Sequence, residues 1–231
     1  MKGQDTARAG LGAVVCDIDG TLTATSSALA VTRALGVPVS AHARLYRAYR
    51  AGALTGEPLR QALRTLWAGA TRQRLAEAFS GVPLRSGADR FLGALRAAGV
   101  PLVLITSSAQ EYADATARRL GAALAHGGGR LRYGHDGVLT DLEMYAADEA
   151  EMAALKARQF RAVLRTLDLP AHRVLVVGNG PNDLGLFAAT PHSVLIDPIG
   201  NSPHRHLVAH VVPGLEQAAD RITALTGTAA G

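Results

Sequence analysis

The stretch AVVCDIDGTLT, residues 13–23, decides how the rest of the chain is read. Four apolar or near-apolar side chains, Ala13 to Cys16, run into Asp17, skip one residue and reach Asp19, followed by Gly20 and Thr-Leu-Thr. A short apolar run bounded by glycine reads as a strand buried on both faces of a parallel sheet. Charge is costly there unless a cation or hydrogen bonds answer it. Two carboxylates at one strand end therefore need a chemical reason.

Outward from this stretch, apolar runs at residues 11–16, 100–105, 173–177 and 193–196 share its short, β-branched character, and amphipathic helical patterns separate most of them. That alternation predicts an α/β fold on a doubly wound parallel sheet. Helical patterns at 28–35, 41–51, 58–68 and 72–79, punctuated by glycine and proline, predict a small helical cap over residues 24–80. Residues 1–23 and 81–231 would form the core, with helices at 86–98 and about 110–120. RLRYGHDGVLTDLE, residues 130–143, reads as a β-hairpin turning at Asp136-Gly137, and a long helix follows from Glu149 to Leu167, closed by Pro170. The opening residues around Lys2 are expected to be disordered and the closing TGTAAG frayed.

The 231 residues suffice for one α/β domain, or for a core with a small insert. No signal core and no apolar run of membrane-spanning length is present, which predicts a cytoplasmic protein without a membrane partner. The single cysteine, Cys16, cannot form an internal disulfide and reads as a buried structural thiol. The net charge of +5 is unevenly spread: residues 24–80 hold eight arginines against Glu57 and Glu77, a balance of +6, leaving the remainder near −1. A basic cap suits anionic ligands or solvated helix faces, and no nucleic-acid signature accompanies it. Of 24 basic residues only Lys2 and Lys156 are lysines, so the retained Lys156 hints that its compact charge matters. His206 and His210 would share a face if helical, but no carboxylate or cysteine joins them at ligand spacing, and surface histidines are the expected reading.

Ligands of open parallel sheets bind beyond the carboxyl ends of the strands. Three such ends carry unusual chemistry: Asp17-Ile18-Asp19-Gly20-Thr21, Thr106-Ser107-Ser108, and Gly178-Asn179-Gly180-Pro181-Asn182-Asp183. With Lys156, their order and spacing resemble the four signatures of the haloacid dehalogenase-like (HAD) hydrolase superfamily over roughly residues 14–187, and the insert and hairpin look most like its phosphoserine phosphatase branch. The resemblance implies a Mg2+-dependent phosphatase acting on a small anionic phosphomonoester. Asp17 would be the nucleophile that forms an aspartyl-phosphate, and Asp19 the acid and later the base. Thr106 and Lys156 would complete the catalytic set, with Gly20, Ser107 and Asn182 near the phosphate. Mg2+ would lie among Asp17, the Asp19 carbonyl, Asn179 and Asp183.

Two departures from that family qualify the reading. Asn179 stands where most relatives carry aspartate, which predicts activity with weaker metal binding, or a degenerate phosphate-binding module. Thr25-Ser26-Ser27 replaces the acidic residue that would hold a serine amine, and the arginine that would hold its carboxylate falls on Leu66, with Arg64 nearby. Phosphoserine is thus disfavoured, and a substrate that is more anionic, or that lacks an amine, is expected, with cap arginines such as Arg44 and Arg64 binding it. An acidic protein partner on the basic cap, or transfer of the phosphoryl group to an alcohol, are the alternatives.

Overall fold

A computed structural model describes residues 10–227 of the chain. The expectations for the opening residues and for the last four residues of the closing TGTAAG lie outside the described residues. Six parallel strands form one sheet in the order β3 (Leu124–His126), β2 (Leu102–Ile105), β1 (Ala13–Cys16), β6 (Val174–Gly178), β7 (His192–Ile196) and β8 (His210–Val212). Order reverses on either side of β1, which is the doubly wound, Rossmann-like arrangement. Every side chain of β1 is buried: Val14 and Cys16 join the hydrophobic cluster on one face, Ala13 and Val15 the cluster on the other. That two-sided burial is why the run shows no polar alternation.

Helices α5 (Ala88–Ala98), α6 (Gln110–Leu120) and α9 (Leu215–Thr226) contribute Phe91, Tyr112 and Ile222 to the first cluster. The second is built on α7 (Glu149–Leu167) and the short α8 (Leu184–Phe187), with Phe160, Val163 and Leu186. Asp148 caps α7 by accepting from Glu151 N at 2.8 Å. The helix ends at Asp168, which takes the left-handed conformation (φ 50°), so its terminator stands two residues before Pro170.

Between β1 and α5 lie four helices, α1 (Ser27–Ala34), α2 (Val39–Arg50), α3 (Gly56–Leu66) and α4 (Arg72–Ser80). The antiparallel hairpin β4 (Gly129–Tyr133) and β5 (Leu139–Met144) is stitched to them. Leu139 N donates to Ala70 O and Arg72 N to Gly137 O, both at 2.8 Å, and Arg60 pairs with Asp141 at 3.1 Å. The Arg72 guanidinium stacks 4.4 Å over the Tyr133 ring. Gly137 has φ 76°, and Asp136 Oδ1 accepts from Val138 N, the Asp-Gly turn chemistry that the sequence suggests.

Two edge strands, β3 and β8, escape a reading of the sequence, since each has three residues and β3 is only partly buried. His206 and His210 do not share a helix: His206 sits in a 3-10 turn and His210 opens β8, where its Nε2 lies 2.7 Å from Arg221. No helix among the described residues is long and apolar enough to cross a membrane.

Candidate active site

Strand register builds the site. Cys16 pairs with Leu104 on one side and Val177 on the other, so Asp17, Thr106 and Asn179 leave the same edge of the sheet within two residues of one another's level. Gly20, at φ 80°, turns the chain sharply there, and a Cβ on it would collide with the Asn179 side chain. Arg85 holds this loop from the segment just before α5, donating to the carbonyls of Thr21 (3.2 Å) and Gly20 (2.6 Å).

Lys156 reaches the site along an apolar stripe of α7, where Met152, Lys156, Phe160 and Val163 are the buried residues. Its side chain has 0% exposure, and Nζ donates to Asp17 Oδ1 at 2.8 Å and to Asp183 Oδ1 at 2.7 Å. Burial opposes the ammonium, yet the two carboxylates outweigh it and raise its pKa above the ordinary lysine value. Burial is also the largest influence on Asp17 and, with Asp183 reinforcing it and Lys156 opposing it, pushes that carboxyl up to about 7.

Asp183, expected among the metal ligands, is engaged through both of its side-chain oxygens. Its Oδ1 is taken by Lys156, and its Oδ2 accepts from the backbone N–H of Asn179 (2.9 Å) and Gly180 (3.1 Å). Fully buried, it shapes the loop from behind, with both oxygens engaged by the protein's own donors. Asn179 is placed forward: Thr21 Oγ1 lies 3.2 Å from its Oδ1 and 3.1 Å from Asp17 Oδ2. The Thr21 hydroxyl, with a single proton, thus sits between two acceptor oxygens, one from each strand end.

Asp19 has different partners. Ser27 Oγ (2.8 Å) and Ser108 Oγ (2.7 Å) lie against its Oδ2, and Ser27 N donates to Oδ1 at 3.0 Å. Burial still raises its pKa above the ordinary carboxylate value, against these hydrogen bonds. Thr106 is buried and accepts from Ser108 N, while Asn182 Nδ2 reaches Ser107 Oγ at 3.4 Å and its buried Oδ1 has no hydrogen-bond partner. The structure thus brings together Asp17, Asp19, Gly20, Thr106, Ser107, Lys156, Asn179, Asn182 and Asp183.

It does not bring in Arg44 or Arg64. Both are exposed, and neither lines the cavity that opens beside Ser27, Ser107 and Ser108. On α2 that wall is made by Leu45, Tyr46 and Tyr49, leaving Arg44, Arg47 and Arg50 toward solvent. Sequence reading missed Ser27, Ser108 and Arg85, whose partners are 8 to 89 residues away along the chain. The hydroxyl run beside Thr106 was the one signal that pointed toward Ser108.

The donor set also tests for a cation. Asp17 and Asp183 share one buried ammonium, and Asp19 beside them has no cationic partner among the described residues, so the site is short of positive charge. No cluster of three His, Cys, Asp or Glu side chains arranged to hold a metal occurs among the described residues. A cation would instead rely on one carboxylate (Asp17), one amide oxygen (Asn179) and a backbone carbonyl. All are hard oxygen donors, and Mg2+, which keeps several waters and takes one or two carboxylates, fits that set.

Comparison with known proteins finds a match to the family model of haloacid dehalogenase-like hydrolases over residues 14–188. Curated proteins yield no match. Among solved structures, a HAD family hydrolase from Salmonella enterica subsp. enterica serovar Typhi is 18% identical with a TM-score of 0.78, over 95% of this chain and 73% of that one. A phosphoserine phosphatase in a phospho-aspartyl intermediate analogue form is 18% identical with a TM-score of 0.72, over 92% and 99%. Another phosphoserine phosphatase, from T. onnurineus, is 22% identical with a TM-score of 0.64, over 96% and 100%. At these identities the likeness to the solved structures is one of fold.

Proposed function

This chain belongs to the haloacid dehalogenase-like hydrolases, and on that premise we propose that it is a Mg2+-dependent phosphatase that cleaves a small phosphomonoester through an aspartyl-phosphate on Asp17. The observation that carries the reading is the contrast between the two carboxylates of residues 17 and 19. Burial raises the pKa of both, but Asp17 is anchored on Lys156 at 2.8 Å, whose ammonium favours its ionised form, while Asp19 has two serine hydroxyls and, among the described residues, no cation, which suits a group that must carry a proton before giving it up.

A carboxylate oxygen of Asp17 attacks phosphorus, the ester P–O bond breaks, and Asp19 hands its proton to the departing alkoxide. Asp19, now ionised, takes a proton from water as that water attacks phosphorus. The Asp17–phosphorus bond breaks, which returns the carboxylate and releases phosphate. On this reading the Thr106 hydroxyl, the Asn182 amide and the backbone N–H groups after Asp17 would donate to phosphoryl oxygens. Asp17, the Asn179 side-chain oxygen and the Asp19 carbonyl would hold Mg2+, which supplies charge neutralisation between nucleophile and phosphate. Lys156 fixes the orientation of Asp17, and Asp183 fixes Lys156 and the loop that carries Asn179.

The test is release of inorganic phosphate from a panel of phosphomonoesters with and without Mg2+. Release that depends on Mg2+ and on Asp17 is the expected result. A protein that binds phosphate analogues but releases none from any ester, acyl phosphates included, would overturn the reading.

A further inference from the structure

The cavity beside Asp19 has a composition that the sequence did not suggest. It measures about 140 Å3 and begins at Ser27 and Ser108, the two residues whose hydroxyls hold the Asp19 carboxylate. On the phosphatase reading, an ester whose oxygen takes a proton from Asp19 would direct its leaving group toward this cavity, since Ser27 and Ser108 join the two. Its walls are Tyr46, Leu63, Trp67, Phe79, Leu131 and Leu142, from three cap helices, the end of α3 and the hairpin.

That wall is fixed. Thr32 Oγ1 donates to Ala28 O at 2.8 Å, so it accepts from Trp67 Nε1 (3.4 Å) and from His42 Nδ1 (3.2 Å), and the His42 ring stacks on Tyr46 with centroids 4.5 Å apart. Among the described residues only two charged ones border the cavity, Arg130 and Glu143. They are paired across the hairpin next to the Leu131–Leu142 pair, so strand alternation sets their side chains on the opposite face. Arg130 is exposed and Glu143 is ion-paired with Arg132. Neither is a buried, unpaired charge of the kind that an amino-acid ammonium or carboxylate would need.

We infer that the substrate, on the phosphatase reading above, is the phosphate ester of a compact apolar alcohol, with a ring-sized aryl or branched alkyl group seated in this cavity. An apolar cavity of about 150 Å3 in another protein admits benzene, which sets the scale. The cap thus selects by apolar shape, and its arginines face away from the leaving group.

Benzyl phosphate, methyl phosphate and phosphoserine all leave as primary alcohols, so comparing them isolates the cavity. A kcat/KM for benzyl phosphate on the order of a hundredfold above the other two is expected, the scale of burying a few methylene equivalents. Equal values would overturn the inference while leaving the phosphatase reading intact. Binding is read independently through Trp67, the only tryptophan of the chain, which lines the cavity. Benzylphosphonate should shift its fluorescence at concentrations at least roughly tenfold below those of the phosphonate analogue of phosphoserine. The reverse order would overturn the inference even if no ester were cleaved. Selective binding without phosphate release from any ester would retain the apolar site and sink the phosphatase reading. Leu63→Arg should lower kcat/KM for benzyl phosphate about tenfold more than for methyl phosphate; equal losses on both would count against the cavity.

Discussion

Replacing Lys156 by methionine removes the cation from between two buried carboxylates while keeping an unbranched chain in the α7 stripe. In the folded protein Nζ lies 2.8 Å from Asp17 and 2.7 Å from Asp183, with no exposure at Lys156 or Asp183. Removing one partner of such a buried pair costs about 3–5 kcal/mol, because the charge left behind is uncompensated. At 2–4 °C per kcal/mol for a chain of this size, Tm at about pH 8 should fall by roughly 6–20 °C. The loss depends on pH with a definite sign. A carboxyl whose folded pKa is raised contributes instability that grows as pH climbs from its unfolded value through its folded one. Asp17 already stands at about 7 with Lys156 in place, and without the ammonium it rises further. Above about pH 7 the variant therefore goes on losing stability where the wild type has stopped, by up to about 1.4 kcal/mol per pH unit. Near pH 5, where Asp17 is protonated in both proteins, the gap should shrink by about half or more. Thermal melts of both proteins across that range, without added metal, provide the assay. Adding Asp17→Asn to the variant should recover part of the loss, since it removes one of the stranded charges. A Tm change under about 3 °C at pH 8, or an equal drop at both pH values, would refute the reasoning.

Asp17→Asn alone should bring phosphate release down to background while Tm stays within several degrees of wild type, as measured by product assay and melt; substantial turnover would remove Asp17 as nucleophile. Ser108→Ala deletes a hydrogen bond that lowers the Asp19 pKa, so the alkaline limb of the kcat/KM profile for an alkyl phosphate should move to higher pH. An unmoved limb, or equal effects on aryl phosphates with good leaving groups, would separate Asp19 from proton donation. Asn179→Asp should lower the Mg2+ concentration for half-maximal activity, and Asn179→Ala should raise it by about ten- to a hundredfold. Coincident titration curves would leave Asn179 as a loop-shaping residue.

Much of the fold is written in periodicity. Strands β1, β2, β6 and β7, buried on both faces, announce themselves as short β-branched runs, and α6, α7 and the four inserted helices carry apolar spacing that holds without tertiary help. Strands β3 and β8 do not, because three-residue edges such as Leu124-Ala125-His126 satisfy only one neighbour and bury little. In the site, Asp17, Asp19, Thr106, Lys156 and Asn179 were legible because charge or hydroxyl at a buried strand end, or a lone lysine among arginines, is locally anomalous. Asp183 was equally conspicuous, but the sequence could not show that backbone amides and Lys156 would occupy both its oxygens. Ser27 and Arg85 look like ordinary polar residues until the chain brings them to Asp19 and Gly20. The apolar cavity is the extreme case: Tyr46, Leu63 and Trp67 carry the same spacing as a packing stripe. Only the geometry shows that a cavity remains between these side chains and Leu131 and Leu142 of the hairpin.

The buried thiol of Cys16 adjoins the proposed nucleophile, and the pairing has a consequence for oxidative stress. Burial first, and then the neighbouring Asp17 and Asp183, push the thiol well above its ordinary pKa, so almost no thiolate forms while the sheet is closed. Peroxides and alkylating agents act on thiolates they can reach. Chemistry carried by a carboxylate one residue away is therefore insulated from the oxidants that silence cysteine-dependent hydrolases. The sulfur at risk lies elsewhere, in the Met144 thioether at the cavity wall, where conversion to the polar sulfoxide would spoil apolar recognition without touching Asp17.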